Sequence, residues 1–264
     1  MLRTRVIPCL LLRNGGLVKT IKFGSPSYVG DPINAVRIFN QKEVDELMFL
    51  DISATATGRG PNFDLVCDIA SEAFMPFGYG GGIRSVDDVR TLVGLGVEKV
   101  VLNSAAINRP DLISEASKVA GSQSVVVSID VKRSLLGRYE VVACNASRQT
   151  GMDPVEWART AAARGAGEIV INSVDRDGTM KGYDLALVKS VTNAVDLPVI
   201  ASGGAGSISD FAAAVREGGA SAVAAGSLFV FHGKHRAVLI TYPEYSELES
   251  RLGTADRAGY EGMS

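Results

Sequence analysis

Acidic side chains stand at the ends of several apolar runs in this sequence, where they could exchange protons with a bound molecule. Asp130 is the strongest candidate, because the run SVVVSID (124–130) is strongly apolar up to it and no structural need for a charge is evident there. A carboxylate in such a place acts as a general acid or base when its pKa is tuned. Asp51 and Asp177 follow other runs, but there the alternatives stay open that Asp51 only holds a loop and Asp177 only shapes a turn.

Glycine-rich segments follow other apolar runs and could bind phosphate. Residues 80–105 match residues 202–228 at an offset of 122, apart from a one-residue gap. Glycine lets backbone N–H groups approach an anion closely, and helix starts direct N–H groups at it. The repeat predicts two phosphate sites, which suit a ligand with a phosphate at each end; the alternative is that the glycines only make turns. The residues that would form these sites are Gly81, Gly82, Asn103, Ser104, Gly203, Gly204, Gly226 and Ser227.

Eight apolar runs alternate with helix-like segments along the chain, which is typical of a parallel α/β fold. The runs lie at residues 5–12, 47–52, 75–80, 98–104, 124–130, 168–174, 197–203 and 221–227. Helices that start on Asp or Ser are predicted over 31–44, 85–96, 153–165 and 207–219. Units of about 33 residues fit a closed (β/α)8 TIM barrel. We therefore predict one domain over residues 1–264, made of two similar half-barrels at about 1–122 and 123–250.

Charged residues at the opposite ends of the predicted strands form a second candidate site. Arg5, Glu46, Lys99 and Glu168 each stand at the start of an apolar run. Because buried charges are costly unless they are paired, two bases and two acids here predict a salt-bridged ring that closes the bottom of the barrel. The alternative is four solvated charges. At the other end of the barrel, Lys19 in the first βα loop is a second catalytic candidate beside Asp130, placed where it could fold over a bound phosphate.

Composition excludes several classes of partner. The net charge of −2 gives no electrostatic footprint for nucleic acid, and the apolar runs are too short to span a membrane. Three cysteines without a C-x-x-C motif indicate free thiols in a reducing cytoplasm. No cluster of His, Cys and Asp has the spacing of metal ligands, so we expect neither a metal nor a cofactor.

Seven motifs follow one another along nearly the whole chain. They are IPCL (7–10), Lys19, FLDI (49–52), GGGI (80–83), VVVSIDVKR (125–133), DRDGT (175–179) and SGGAG (202–206). Through these motifs the chain resembles the HisF family, the cyclase subunit of imidazole glycerol phosphate synthase. The resemblance implies a cytoplasmic TIM barrel that takes a ligand with two phosphates and ammonia. It closes an imidazole ring and releases an aminoimidazole ribotide, with Asp130 as general base.

The resemblance also implies a partner. In the family a separate glutaminase subunit, HisH, docks at the N-terminal face of the barrel and makes the ammonia. The ammonia enters through a gate whose positions match the four charges described above. The resemblance further adds Asp177 and Gly178 to the predicted phosphate-binding residues.

One position departs from the pattern of the histidine-pathway enzymes. They carry an essential aspartate where this chain has Leu11, and leucine cannot exchange protons. The segments IPCLLLRNGGLVKT, GYDLALVK and FVFHGKHRAVL resemble a side branch associated with surface-polysaccharide loci. In that branch a HisF-like barrel and its glutaminase deliver ammonia to a sugar amidotransferase that makes an acetamidino sugar. Three functions stay open: this ammonia delivery, a true cyclase, and a non-catalytic scaffold that activates the glutaminase.

Overall fold

A computed structural model describes residues 4–134 and 136–252, so the predicted domain 1–264 extends beyond the described residues at both ends and at position 135. Fourteen strands lie in this part of the chain. They are β1 Arg5–Arg13, β2 Gly16–Lys19, β3 Ser27–Gly30, β4 Leu47–Asp51, β5 Phe77–Gly80, β6 Lys99–Leu102, β7 Val125–Arg133, β8 Tyr139–Ala143, β9 Arg148–Gln149, β10 Glu168–Ser173, β11 Val199–Ser202, β12 Ala222–Ala225, β13 Phe231–His232 and β14 Ala237–Val238.

Eight of these strands close into a parallel barrel. Its order is β1-β4-β5-β6-β7-β10-β11-β12, and β12 pairs with β1 to complete the circle. The predicted (β/α)8 TIM barrel is therefore confirmed. In this order β1 and β7 lie four strands apart in both directions, so they face each other across the barrel.

Helices follow the barrel strands and cover them. They are α1 Pro32–Gln41, α2 Phe63–Glu72, α3 Val86–Gly94, α4 Ser104–Asn108, α5 Asp111–Ala120, α6 Pro154–Ala163, α7 Leu185–Thr192, α8 Ile208–Arg216, α9 Ser227–Val230 and α10 Tyr245–Leu252. The four helices predicted from their first residues form behind the expected caps. Asp31 and Asp153 accept backbone N–H groups at the starts of α1 and α6, which satisfies donors that a helix start leaves unpaired.

Two apolar layers stabilise this arrangement. The larger core lies between the strands and the surrounding helices and includes the buried Trp157 of α6. The smaller core fills the barrel itself, as the inward-facing side chains of a TIM barrel do. Its nine buried members are Ile7, Cys9, Met48, Val101, Val126, Val170, Ile200, Ala222 and Ala224. They separate the two ends of the barrel by an apolar plug.

Two local features recur in the two halves of the barrel, and the division into half-barrels stays a prediction. Ser85 and Asp88 form a capping box at the start of α3, and Ser207 and Asp210, 122 positions later, form the same box at α8. In addition, β1 and β7 are both nine residues long, and each continues beyond the barrel into an antiparallel hairpin. These hairpins, which bring β2 and β3 onto β1 and β8 and β9 onto β7, were absent from the sequence prediction.

Candidate active site

A cavity of about 510 Å³ opens at the carboxyl ends of the barrel strands, where TIM barrels hold their active sites. We call it the mouth cavity. It gathers every residue that the sequence analysis assigned to catalysis or phosphate binding. These are Lys19, Gly81, Gly82, Asn103, Ser104, Asp130, Asp177, Gly178, Gly203, Gly204, Gly226 and Ser227, and Leu11 lines the same cavity.

Asp130 is held at the floor of the mouth cavity by two amides. Its carboxylate accepts hydrogen bonds from Asn103 Nδ2 at 2.8 Å and from Asn172 Nδ2 at 2.9 Å. Burial raises the pKa of the Asp130 carboxyl to about 6, against the opposing effect of the two amide donors. A carboxyl with a pKa near neutrality can take up or release a proton during a reaction.

Leu11 stands on the wall that faces Asp130. It belongs to β1, it is half-buried, and it lines the mouth cavity beside Leu50 of the neighbouring strand. The strand β1 therefore presents an apolar side chain to the part of the cavity that Asp130 faces. The carboxylates of Asp51 and Asp177 also line the cavity, but both hold loops in place. Asp51 accepts the N–H of Ser53 at 2.8 Å, in keeping with the loop-holding alternative.

The predicted phosphate segments lie at the rim in tight contact with neighbouring backbone. A Cβ at Gly81 would lie 2.4 Å from the Asp51 carbonyl oxygen, and one at Gly204 would lie 2.3 Å from the Gly182 carbonyl oxygen. Both glycines also have positive φ, so packing and conformation each require glycine here. The helices α4 and α9 begin at the same rim, and their first N–H groups have no side-chain cap. Phosphate binding at these segments stays a prediction.

Lys19 lies inside the cavity wall rather than in a loop above it. It is the last residue of β2, only 6% of its surface is exposed, and its Nζ donates to the Cys9 carbonyl oxygen. Lys19 does lie in the predicted first βα connection, between β1 and α1, but this connection forms the strands β2 and β3 instead of an open loop, because β2 pairs with the extended end of β1. Burial lowers the pKa of the Lys19 ammonium group. A Cβ at Gly226 would collide with Lys19 Nζ, so the lysine lies directly against the start of α9.

Asp177 connects the segment after Lys19 to the opposite side of the rim. Its carboxylate accepts the Thr20 hydroxyl at 2.8 Å and the Phe23 N–H at 3.3 Å. Gly178 packs closely on the same segment, because a Cβ there would lie 2.1 Å from the Thr20 carbonyl oxygen. Asp177 thus holds the segment that follows Lys19. If Asp177 also binds phosphate, it does so from a loop that these hydrogen bonds hold in place.

The four charges at the other end of the barrel form a closed ring, which we call the four-charge ring. Arg5 forms ion pairs with both Glu46 and Glu168. Lys99 Nζ lies 3.2 Å from Glu46 Oε2 and 2.7 Å from Glu168 Oε2. The glutamate side chains are only 4% and 5% exposed, so the ring is a buried network rather than four solvated charges.

Comparison with known proteins places this barrel among its relatives. The model of the family described as histidine biosynthesis protein matches residues 5–236. A protein of Pseudomonas aeruginosa with the provisional name imidazole glycerol phosphate synthase subunit hisF2 is 53% identical over 249 residues, covering 94% of this chain and 99% of the relative. The chain belongs to the HisF family. The imidazole glycerol phosphate synthase subunit HisF of Hyphomonas neptunium is 49% identical over 231 residues, covering 88% of this chain and 91% of the relative.

The sequence analysis did not identify two polar residues of this HisF chain that lie near Asp130. Asn172 lies directly beside Asp130 in the register of β10 and β7, and it donates one of the two bonds to the carboxylate. The hydroxyl-bearing Ser128 is buried inside the barrel two positions before Asp130. The available signal was an amide inside the otherwise apolar run EIVINSV (168–174). Within residues 4–134 and 136–252, no helix is long and apolar enough to cross a membrane, and no group of three potential ligands could hold a metal ion.

The raised pKa of Asp130 makes the stability of this HisF chain depend on pH. An unfolded aspartate has a pKa of about 3.9, so the folded state binds this proton more tightly. The protonated Asp130 carboxyl therefore stabilises the folded state. This contribution to the free energy of unfolding is fully present below about pH 4 and is lost as the pH rises through about 6. We expect the wild type to lose stability relative to Asp130→Asn over this interval, as measured by urea denaturation. An unchanged difference between the two proteins from about pH 4 to about pH 6.5 would contradict the raised pKa.

Proposed function

We propose that this chain receives ammonia from a HisH-type glutaminase through its barrel and delivers it for the amidation of a nucleotide sugar in surface-polysaccharide synthesis. The observation that carries the proposal is a pair of features in one barrel. The four-charge ring is complete at the N-terminal end, while Leu11 occupies the wall that faces Asp130 at the mouth.

The four-charge ring supports the conduit. A buried network of two cations and two anions gives little stability relative to apolar packing, so its presence suggests a use that needs charge. Above it, the apolar plug accommodates neutral ammonia far better than ammonium, because an unpaired charge is very costly in an apolar medium. A ring that opens and an apolar passage together would admit ammonia and exclude ions and bulk water.

Leu11 supports an acceptor other than the histidine-pathway ribotide. A cyclase that has lost one group of its acid and base pair loses about 10²–10⁴ in rate. The remaining acids of the mouth cavity on that side hold loops, as Asp51 does through Ser53. The nucleotide sugar, and a sugar amidotransferase as a third protein, rest on the resemblance to the surface-polysaccharide branch.

A second candidate function is the cyclase reaction itself, in which ribotide and ammonia give imidazole glycerol phosphate and aminoimidazole carboxamide ribotide. The specific observation in its favour is Asp130, whose pKa of about 6 and two amide partners suit a general base. The relatives named as HisF subunits agree with it. A scaffold without a ligand is less well supported, because it has no use for a cavity of about 510 Å³ rimmed by glycines.

Docking of a glutaminase at the N-terminal face can be tested with two matched variants. Phe74 lies between α2 and β5 on this face with 88% of its surface exposed, and Leu136 lies in the hairpin at the opposite end with 86% exposed. The Phe74 N–H donates to Asn40 Oδ1 at 3.0 Å, which fixes the backbone that presents the ring. Aromatic residues, including Phe, are enriched in the buried centres of protein interfaces relative to the rest of the surface.

We expect the wild-type chain to form a 1:1 complex with a HisH-type glutaminase and to increase its rate of glutamine hydrolysis. Phe74→Glu should weaken the complex at least about tenfold, because it buries a charge in the contact, while Leu136→Glu should leave the affinity unchanged. Affinity is measured by calorimetry and hydrolysis by glutamate release. Absence of a complex, or equal loss in both variants, would contradict docking at this face.

A further inference from the structure

Three arginine side chains line one side of the mouth cavity. Arg13 ends β1, Arg59 lies in the loop after β4, and Arg84 lies in the loop after β5. Since β1, β4 and β5 are consecutive in the barrel, these loops are neighbours. We call the three residues the arginine cluster. In the part of the chain that the structure describes, none of them forms an ion pair with a carboxylate.

Arg59, the middle member of the arginine cluster, is fixed at the rim by its own hydrogen bonds. Arg59 Nε donates to Thr57 Oγ1 at 3.0 Å, and Arg59 Nη2 donates to Asn14 Oδ1 at 3.4 Å, next to Arg13. A Cβ at Gly82 would lie 2.9 Å from the Arg59 carbonyl oxygen, so the loop of Arg59 packs directly on the glycine segment. The three side chains are exposed and line the side of the cavity that contains the glycine segment at 80–82, with no carboxylate ion pair among the described residues.

The second glycine segment has no arginine among the residues that line the cavity, although Arg176 packs against Gly204 from outside it. Packing explains the difference at one position. The position 122 residues after Arg84 is Gly206. Both residues donate their backbone N–H to the capping aspartate of the next helix at 2.9 Å. A Cβ at Gly206, however, would lie 2.3 Å from the Met180 carbonyl oxygen, so no side chain fits there. Lys19 lines this end of the cavity, where its Nζ donates to the Cys9 carbonyl oxygen and the Asp177 carboxylate partly offsets the effect of burial on its pKa.

From this asymmetry we infer that the arginine cluster and the glycine segment at 80–82 form a diphosphate subsite, and that the other end of the cavity binds a less charged group. Guanidinium groups bind phosphate oxygens through paired, charge-assisted hydrogen bonds, so three of them suit two linked phosphates better than one. A nucleoside diphosphate carries such a group. The identification of this diphosphate with that of a nucleotide-sugar acceptor rests on the proposed function.

Calorimetric titration of the full chain with small anions tests the subsite. The probes are inorganic pyrophosphate against phosphate, and UDP against UMP, at fixed ionic strength. We expect the diphosphate to bind at least about tenfold more tightly than the monophosphate in both pairs, because it adds charge-assisted hydrogen bonds. Arg59→Gln and Arg84→Gln should each reduce this preference several-fold. The matched control is Arg90→Gln on α3, where an exposed arginine pairs with Asp87 outside the cavity.

Equal affinity for monophosphate and diphosphate, or no binding of any of the four probes at millimolar concentration, would overturn the subsite. The subsite would also be overturned if Arg59→Gln and Arg84→Gln both kept the wild-type preference for diphosphate over monophosphate. Circular dichroism checks that both variants are folded. The titration uses neither glutaminase nor turnover. A failure of ammonia delivery would therefore leave its result intact, and a failure of the subsite would leave the glutaminase result intact.

Discussion

Removing the Glu168 carboxylate is expected to lower the free energy of unfolding by about 3–5 kcal/mol, the cost typical of breaking a buried ion pair from one side. Glu168 is 5% exposed and pairs with both cations of the four-charge ring. In Glu168→Ala, Arg5 and Lys99 each keep only Glu46 as a partner, so two positive charges share one carboxylate. Urea denaturation of the wild type and the variant at neutral pH measures the difference.

A matched control separates the buried network from an ordinary surface pair. Glu156 is 69% exposed and pairs with Arg159 on the outside of α6. Glu156→Ala should cost less than about 1 kcal/mol, because exposed pairs are well solvated. If Glu168→Ala cost as little as Glu156→Ala, the four-charge ring would be a set of independent solvated charges that does not close the N-terminal end of the barrel.

Turnover of the histidine-pathway ribotide with ammonium salt should be at least about 10²-fold slower in this chain than in a HisF cyclase that carries an aspartate at the position of Leu11. Ammonium salt replaces the glutaminase, so the measurement concerns only the mouth cavity. Leu11→Asp places a carboxylate on the wall that faces Asp130. We expect this single change to raise the rate, since both members of an acid and base pair are then present.

The variant Leu11→Asn is the control for shape and polarity, because asparagine has nearly the size of aspartate and does not exchange protons. It should leave the rate at the wild-type level, and Asp130→Asn should abolish the gain made by Leu11→Asp. Wild-type turnover within about tenfold of an ordinary cyclase would overturn the ammonia-delivery proposal. Leu11 would then be a tolerated substitution, and the cyclase would be the function of this chain.

Elements of the barrel were predictable because their signals act over a few residues. The run at 168–174 forms β10, and the helix predicted over 31–44 forms α1 directly after its cap Asp31. Apolar runs between turn residues favour buried strands, and an Asp-Pro pair favours a helix start, whatever lies elsewhere in the chain. The eight runs in units of about 33 residues indicated the closed architecture, and the repeat at an offset of 122 predicted two similar half-barrels.

The hairpins beyond the barrel were not predictable in this way. The strand β2 has four residues and β9 has two, too few for a periodic pattern. Each depends on a neighbour that extends past the barrel, as β2 pairs with the last three residues of β1. This pairing moves Lys19 from an open loop into the cavity wall, which changes its surroundings from water to the Cys9 carbonyl and Gly226.

Residue types and their order were thus enough to predict the barrel and to single out Asp130, because each is a property of one strand and its end, while the departure at Leu11 came from the resemblance to the HisF family. Which charges meet required the closed structure. Arg5 and Glu168 are 163 positions apart, and Thr20 and Asp177 are 157 apart. Such pairs form only when strand register and closure of the circle bring their strands to the same height. The three guanidinium groups gathered at one end of the cavity have the same origin, in loops from three adjacent strands.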